Sequence, residues 1–274
     1  MMPNREPTPF NRFARTLPLL RSGTLEARLA RSEKEIEAAQ ILRYEVFYDE
    51  CGAQPDETMA LLKRDVARID DFCDVLLVID HSQNRIVGTY RFMLREAAEN
   101  YGNYYTSSEF DISKIIAFPG EIMELGRSCV QKAYRTKPTM QLLWRGIGAY
   151  IQQNNVDLCF GCGSFIGTDV DKYRQALAYL YHYHLAPPEL RATALRIHHQ
   201  EMDLIAKEQV NKKEAMSQLP PLIKGYLRLG GYVGDGAFID EKFNSLDVCV
   251  IVKREKVTGR YSNKYVSARH HEAA

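Results

Sequence analysis

Glu121-Ile-Met-Glu-Leu-Gly-Arg-Ser-Cys-Val130 is a strand-length run in which two charges, Glu124 and Arg127, sit among apolar residues. Side chains alternate faces along a strand, so these two should point to opposite sides. A β-bulge near Leu125-Gly126 would bring them onto one face, and glycine permits the bend. Upstream, Val75 to Ile79 is apolar throughout, His81-Ser-Gln-Asn84 makes a turn, and Arg85 to Arg95 returns as the second arm of a hairpin. Downstream, Pro138 opens a helix running to Asn154, and Val156 to Ile166 is a buried strand. A helix from Asp169 to His184 follows, capped by Thr168 or Asp169.

Working outward, Leu25 to Ala30 alternates as a half-buried strand, and Ser32-x-x-Glu35 is a capping box that starts a helix. One side of that helix carries Ile36, Ala39, Arg43, Val46 and Phe47, which sets Arg43 among apolar neighbours. Residues 49–74 are acidic and irregular, with a short helix around Met59 to Val66. Residues 187–219 predict a charged, mostly helical insertion, followed by a short helix from Pro220 to Leu229, a glycine-rich turn, and a last strand from Leu246 to Lys253. The order implies a mixed α/β fold with a largely antiparallel sheet. One domain over 24–253 is expected, between a mobile lead-in (1–23) and a tail (254–274).

With 274 residues and 45% apolar content the chain can bury a real core. Its 36 basic and 35 acidic residues argue against a general nucleic-acid binder. Both ends are basic: residues 1–31 hold six arginines against two glutamates, and residues 253–271 hold six cations against Glu255. Such ends can hold an enzyme against anionic lipid, or they can be solvated tails. The sequence has no apolar run of membrane-spanning length and no signal-peptide core, so a cytoplasmic protein is expected, possible peripheral membrane contact aside. The six cysteines form no disulfide framework, and Cys159-x-x-Cys162 lacks the second pair a zinc site needs. His182-x-His184 and His198-His199 read as surface residues, and no metal is expected.

Four clusters set charge beside apolar elements: Arg43-Tyr-Glu-Val-Phe47, Asp71-Phe-Cys-Asp74, Gly88-Thr-Tyr-Arg91 and Glu124-Leu-Gly-Arg127. Charges in apolar strands are costly unless paired or used, so a buried salt-bridge network and a catalytic site are both open readings. Together the clusters resemble the signature of the acyl-homoserine lactone synthases, which have a GNAT-like fold. The wider match resembles their relatives, the ornithine N-acyltransferases that make lyso-ornithine lipid. It includes Leu-Arg-Tyr-Glu-Val-Phe (42–47), Glu-Leu-Gly-Arg-Ser-Cys-Val (124–130), Leu-Leu-Trp-Arg-Gly (142–146) and Leu-Pro-Pro-Leu-Ile-Lys-Gly-Tyr-Leu-Arg-Leu-Gly-Gly (219–231). Trp144 is the one tryptophan, where the lactone synthases carry one soon after the Arg-x-x-x-Phe cluster.

The resemblance implies a GNAT-like acyltransferase that moves a (3-hydroxy)fatty acyl group from acyl carrier protein to the α-amine of L-ornithine, the first step of ornithine lipid synthesis. A lactone synthase and a non-catalytic membrane-associated scaffold are the alternatives. In this reading Glu124 is the base for the amine, and backbone N–H groups of Gly126 to Ser128 hold the oxyanion. Arg127 and Arg91 grip the acceptor's carboxylate, Asp71 and Asp74 take its cationic side chain, and Phe47 walls the acyl channel, with Arg43 beside them. Acetyl-CoA-dependent members usually have glycines where this chain reads Arg135-Thr-Lys-Pro-Thr-Met. Losing that cradle suggests a donor without a free pyrophosphate, the phosphopantetheine thioester of acyl carrier protein, met by Arg135 and Lys137. No bound cofactor is expected.

Overall fold

Val75-Leu-Leu-Val-Ile79 is apolar at every position because both faces of its strand are covered. Leu76 and Val78 belong to one buried cluster, and Val75, Leu77 and Ile79 to another. The computed structural model describes residues 13–255. Their elements run β1 (Leu20–Ser22), β2 (Leu25–Leu29), α1 (Glu33–Tyr44), α2 (Glu57–Leu62), β3 (Asp74–Asp80), β4 (Arg85–Leu94) and α3 (Arg95–Tyr101). Then come β5 (Phe110–Asp111), α4 (Ser113–Ile116), β6 (Glu121–Val130), α5 (Lys137–Gln153), β7 (Val156–Ile166) and α6 (Arg174–His184). The chain ends through β8 (Thr193–Ala194), β9 (His199–Gln200), α7 (Lys212–Gln218), α8 (Pro221–Arg228), β10 (Tyr232–Val233), β11 (Ala237–Asp240) and β12 (Ser245–Lys253).

The main sheet has the order β1-β2-β3-β4-β6-β7-β12-β11-β9, with β10 also on β12. Its pairs are antiparallel except β6 with β7, which are joined by the α5 crossover and run parallel. Leu142, Leu143, Ile147, Tyr150 and Ile151 of α5 pack on one face together with residues of α6 and α8. α1, α3 and the segment 104–118 cover the other. This is the mixed, largely antiparallel α/β sheet flanked by helices that the sequence predicts.

The parallel pair is short. β6 and β7 are in register only from Glu121 opposite Val156 to Glu124 opposite Phe160. Beyond Phe160 the strand β7 continues to pair with β12 alone, along its whole length. At the point of separation a Cβ on Gly161 would run into the carbonyl oxygen of Leu125, so glycine is what lets the two backbones meet there and then part.

Several expectations are corrected. The lead-in expected to be mobile is folded from residue 13 to 23: β1 pairs with β2, and Arg15 Nη1 reaches Asp74 Oδ2 at 3.1 Å. Residues 1–12 and 256–274, which include much of both basic ends, lie outside the described residues. β2 is buried on both faces rather than one, its Glu26 accommodated by His81 at 2.6 Å. α2 stops at Leu62, because Lys63 takes a left-handed conformation at φ 52°. α6 starts at Arg174, after a 3-10 turn whose N-cap is Val170; Asp169 accepts from the Asp171 N–H just before that turn and does not cap α6. The 187–219 segment is mostly not helical. Only α7 is an α-helix there, and its earlier backbone is taken up by pairing β8 with β5 and β9 with β11.

Gly161→Ala should lower stability by about 1–3 kcal/mol, the usual cost of forcing extra volume into packed structure. Urea unfolding would show this as a lower midpoint at unchanged slope; an unaltered midpoint would mean that the backbones separate without needing glycine.

Candidate functional site

The bulge in β6 lies just beyond the expected position. Thr89 faces Cys129 and Arg91 faces Gly126, so Tyr90 alone stands opposite both Arg127 and Ser128. Arg127 takes the left-handed conformation at φ 52°, an unusual place for a long side chain. Gly126 is needed for a different reason: a Cβ there would lie 3.5 Å from Arg91 Nη2, in the space the guanidinium faces. Gly126, Arg127 and Ser128 are also the part of β6 that regains solvent contact, while Ile122 to Leu125 and Cys129 to Val130 are buried.

The bulge turns Glu124 and Arg127 toward one neighbour, Tyr105. The Glu124 carboxylate accepts from the Tyr105 N–H at 3.0 Å, the Thr106 N–H at 2.6 Å and the Thr106 hydroxyl at 2.6 Å. The Arg127 guanidinium lies between the rings of Tyr105, 4.7 Å away, and Phe243, 4.4 Å away.

Behind the bulge three arginines meet two aspartates. Arg43, fully buried on α1, pairs with both Asp65 and Asp70. Arg91 reaches Asp70 at 3.1 Å, and Arg127 reaches Asp65 at 3.2 Å. Tyr48 donates to Asp65 at 3.0 Å and Gln40 to Asp70 at 2.9 Å. Burial alone would raise the Asp70 carboxyl, but Arg43 and Arg91 outweigh it and hold Asp70 well below the usual carboxylate range. Burial likewise works against the charge on Arg43, and the two aspartates more than restore it. Three guanidiniums against two carboxylates leave the cluster one charge positive. Arg91 Nη2 is buried without a hydrogen-bond partner, beside Gly126. A buried cationic cluster with a spare donor is suited to an anion.

The other candidates lie as follows. Asp71 is exposed, and Asp74 is buried away from the arginines, bonded to Tyr150 and Arg15. The 3-10 turn Arg68–Phe72 instead carries Asp70 inward to the arginines. Phe47 packs edge-on to Phe243, with ring centres 6.2 Å apart. Arg135 is engaged with Glu50 and the Val130 carbonyl, and Lys137 is exposed in the first turn of α5.

Sequence reasoning missed Asp65 and Asp70, which sit in the irregular stretch where no periodicity sets the facing of a residue. It also missed two apolar cavities where β6 and β7 part. They share Leu125, Cys159, Tyr226 and Val252, and each holds about 10 Å³, room for roughly one water. The Tyr90 and Tyr226 hydroxyls meet there at 2.6 Å. A third feature is an open pocket of about 420 Å³ beside Tyr105, lined in part by Glu109 and Asp240.

Residues 42–145 match the acetyltransferase (GNAT) domain family. The chain is 45% identical over 252 residues to an L-ornithine N(alpha)-acyltransferase of Rhizobium meliloti (strain 1021), covering 89% of this chain and 85% of that protein. It is 46% identical over 253 residues to the protein of the same name from Agrobacterium fabrum, covering 89% and 86%. Among solved structures, an N-acyl amino acid synthase from uncultured soil microbes superposes with a TM-score of 0.50 at 10% identity, over 86% of this chain and 93% of that one. That likeness concerns the fold.

Asp70→Asn should cost about 3–5 kcal/mol, because it strips charge from the partner of two buried guanidiniums. Asp71→Asn should cost no more than about 1 kcal/mol. Since the folded Asp70 carboxyl is held low, its contribution is present above the unfolded value of about 3.9 and fades as the pH falls below it. Denaturation from pH 7 to 3 should therefore show the gap between wild type and Asp70→Asn closing on acidification; a constant gap would contradict the assignment.

Proposed function

Because the chain belongs to the family of the L-ornithine N(alpha)-acyltransferases, and so is an acyltransferase, we propose that it transfers a fatty acyl group from acyl carrier protein to the α-amine of L-ornithine. The product is an N-acyl-ornithine, the first intermediate of ornithine lipid synthesis. The observation that carries this reading is the solvent-reached bulge at Gly126 to Ser128, backed by a cationic cluster whose spare donor, Arg91 Nη2, lies beside it.

The reaction needs no acyl-enzyme. The neutral α-amine attacks the thioester carbonyl, the new C–N bond forms, and the oxyanion is held by backbone N–H groups of the bulge. The intermediate collapses with cleavage of the C–S bond, and the pantetheine thiolate leaves and takes up the proton that Glu124 receives from the amine. Glu124 receives the proton the amine gives up: Oε1 already accepts two hydrogen bonds but Oε2 only one, so a lone pair remains. Arg91 and Arg127 bind the acceptor's carboxylate. The acyl chain enters the seam between β6 and β7, where the two small cavities open into one channel as Tyr226 and Trp144 yield to it.

Acyl carrier protein fits the donor side better than coenzyme A. The start of α5 has no glycines, and Pro138, in its first turn, removes one of the few N–H groups a pyrophosphate could use. Lys132 and Lys137 are exposed there, a basic rim for an acidic carrier. Membrane contact through the basic ends is part of the same proposal. It rests mainly on residues beyond those described, since Arg15, Arg21 and Arg28 are paired with Asp74, Glu26 and Glu35.

Thiol release from 3-hydroxyacyl carrier protein should depend on ornithine, and mass spectrometry should find N-acyl-ornithine. Release with S-adenosylmethionine alone would contradict the reading. Glu124→Gln should lower kcat at least about 100-fold; full turnover would show that Glu124 is not the base.

A further inference from the structure

Beside Tyr105, whose ring also packs on Arg127, lies a group of acids, two buried and one half-buried, that no part of the reaction above uses. Glu109, Asp240 and Asp247 each place a carboxylate oxygen so that all three lie within 4.8 Å of one another. Glu109 is 3% exposed and Asp247 also 3% exposed. Neither Glu109 oxygen nor Asp247 Oδ1 meets a donor at full hydrogen-bond geometry; the Cys162 thiol and the Tyr105 hydroxyl stand nearest Glu109, and Ser164 lies beside Asp247. Asp247 Oδ2 accepts from Ser245 at 3.2 Å, and Asp240 accepts from the Phe243 N–H at 2.9 Å. Among the described residues, no ion pair reaches any of the three.

An isolated buried carboxylate is expensive, and three together repel one another. Burial, then the charge of Asp247, pushes the Glu109 carboxyl well above its ordinary range. Burial, with the charge of Asp240 adding to it, pushes Asp247 up to about 6. Such a group keeps its protons in burial, and a cation beside it stabilises the ionised carboxylates. The 420 Å³ pocket reaches Glu109 and Asp240 from solvent, with Tyr105 and Phe238 as apolar walls. That volume exceeds what a bare ion needs, and a flexible alkyl chain ending in a charge would fill it.

We propose that Glu109, Asp240 and Asp247 bind the cationic end of the acceptor's side chain, an alkylammonium, and so select a diamino acid over a neutral one. This rests on the proposed reaction. Tyr105 connects the two halves of the acceptor site: its ring packs on Arg127, which takes the carboxylate, and it also lines the acidic pocket. An amino acid laid along Tyr105 has its carboxylate at the arginines, its α-amine at the bulge and its ammonium among the acids. Each charge then meets its opposite, and the Glu109 oxygens gain donors.

The test compares ornithine with norvaline, which has the same carbon chain without the terminal amine. Wild type, Glu109→Gln and Asp240→Asn would be assayed with acyl carrier protein thioester, each variant first checked for an unchanged Tm. Asp240 is half-buried, so its variant gives a second reading should Glu109→Gln fail to fold. Wild type should prefer ornithine in kcat/KM, and the ornithine-to-norvaline ratio should fall roughly 30-fold or more in each folded variant. Equal losses on both amino acids, leaving the ratio intact, would overturn the proposal. So would activity abolished by EDTA and restored by magnesium or calcium, which would give the acids to a metal. If wild type accepts both amino acids equally, the pocket assignment fails while the transfer reaction stands; if it accepts neither, the proposed reaction itself is wrong.

Discussion

The pairing of Arg43, Arg91 and Arg127 with Asp65 and Asp70 ties together parts of the chain that the sheet alone does not hold. Arg43 comes from α1, Asp65 and Asp70 from the loop that follows it, Arg91 from β4 and Arg127 from the bulge of β6. Replacing such a network with apolar side chains would often be neutral or stabilising. Its value lies in position. It fixes a left-handed arginine at a strand bulge, and it leaves one guanidinium nitrogen without a partner beside the only glycine of that strand. A purely structural network would be expected to close on itself. This one carries one positive charge in excess, which the proposed acceptor carboxylate would offset.

The splay of β6 from β7 and the bulge of β6 are two parts of one arrangement. The strands pair for only a few residues, then Gly161 allows a close approach at Leu125 before they diverge. The divergence frees the backbone of Gly126 to Ser128 from β7, and the bulge opposite Tyr90 turns Arg127 and Ser128 out of the regular ladder with β4. Backbone donors in a sheet are normally occupied. Here one short stretch keeps them near an apolar seam on one side and charged groups on the other, which is the environment a thioester and an amino acid would require together.

Much of this was readable in the sequence. The hairpin at His81 to Asn84, the helix opened by Pro138 and the long strands before and after it announce themselves through apolar runs and turn residues. Glu124 and Arg127 stood out because charge in an apolar strand demands a reason. What could not be read was facing in irregular chain. Asp70 and Asp71 are adjacent, and only a single 3-10 turn decides which one is buried. Glu109 and Asp247 are 138 positions apart and look like solvated charges in their own neighbourhoods. Only the tertiary fold makes them one acidic group. The 187–219 segment misled through its helix-forming composition, because pairing with β5 and β11 outweighed local preference.

The most direct measurement is a crystal structure of the protein with N-acyl-ornithine bound. The account predicts the amide at the bulge of β6, the carboxylate on Arg91 and Arg127, the terminal ammonium among Glu109, Asp240 and Asp247, and the acyl chain along the seam beside Tyr226. A product whose amide lies away from Gly126 to Ser128, or whose carboxylate avoids both arginines, would contradict it.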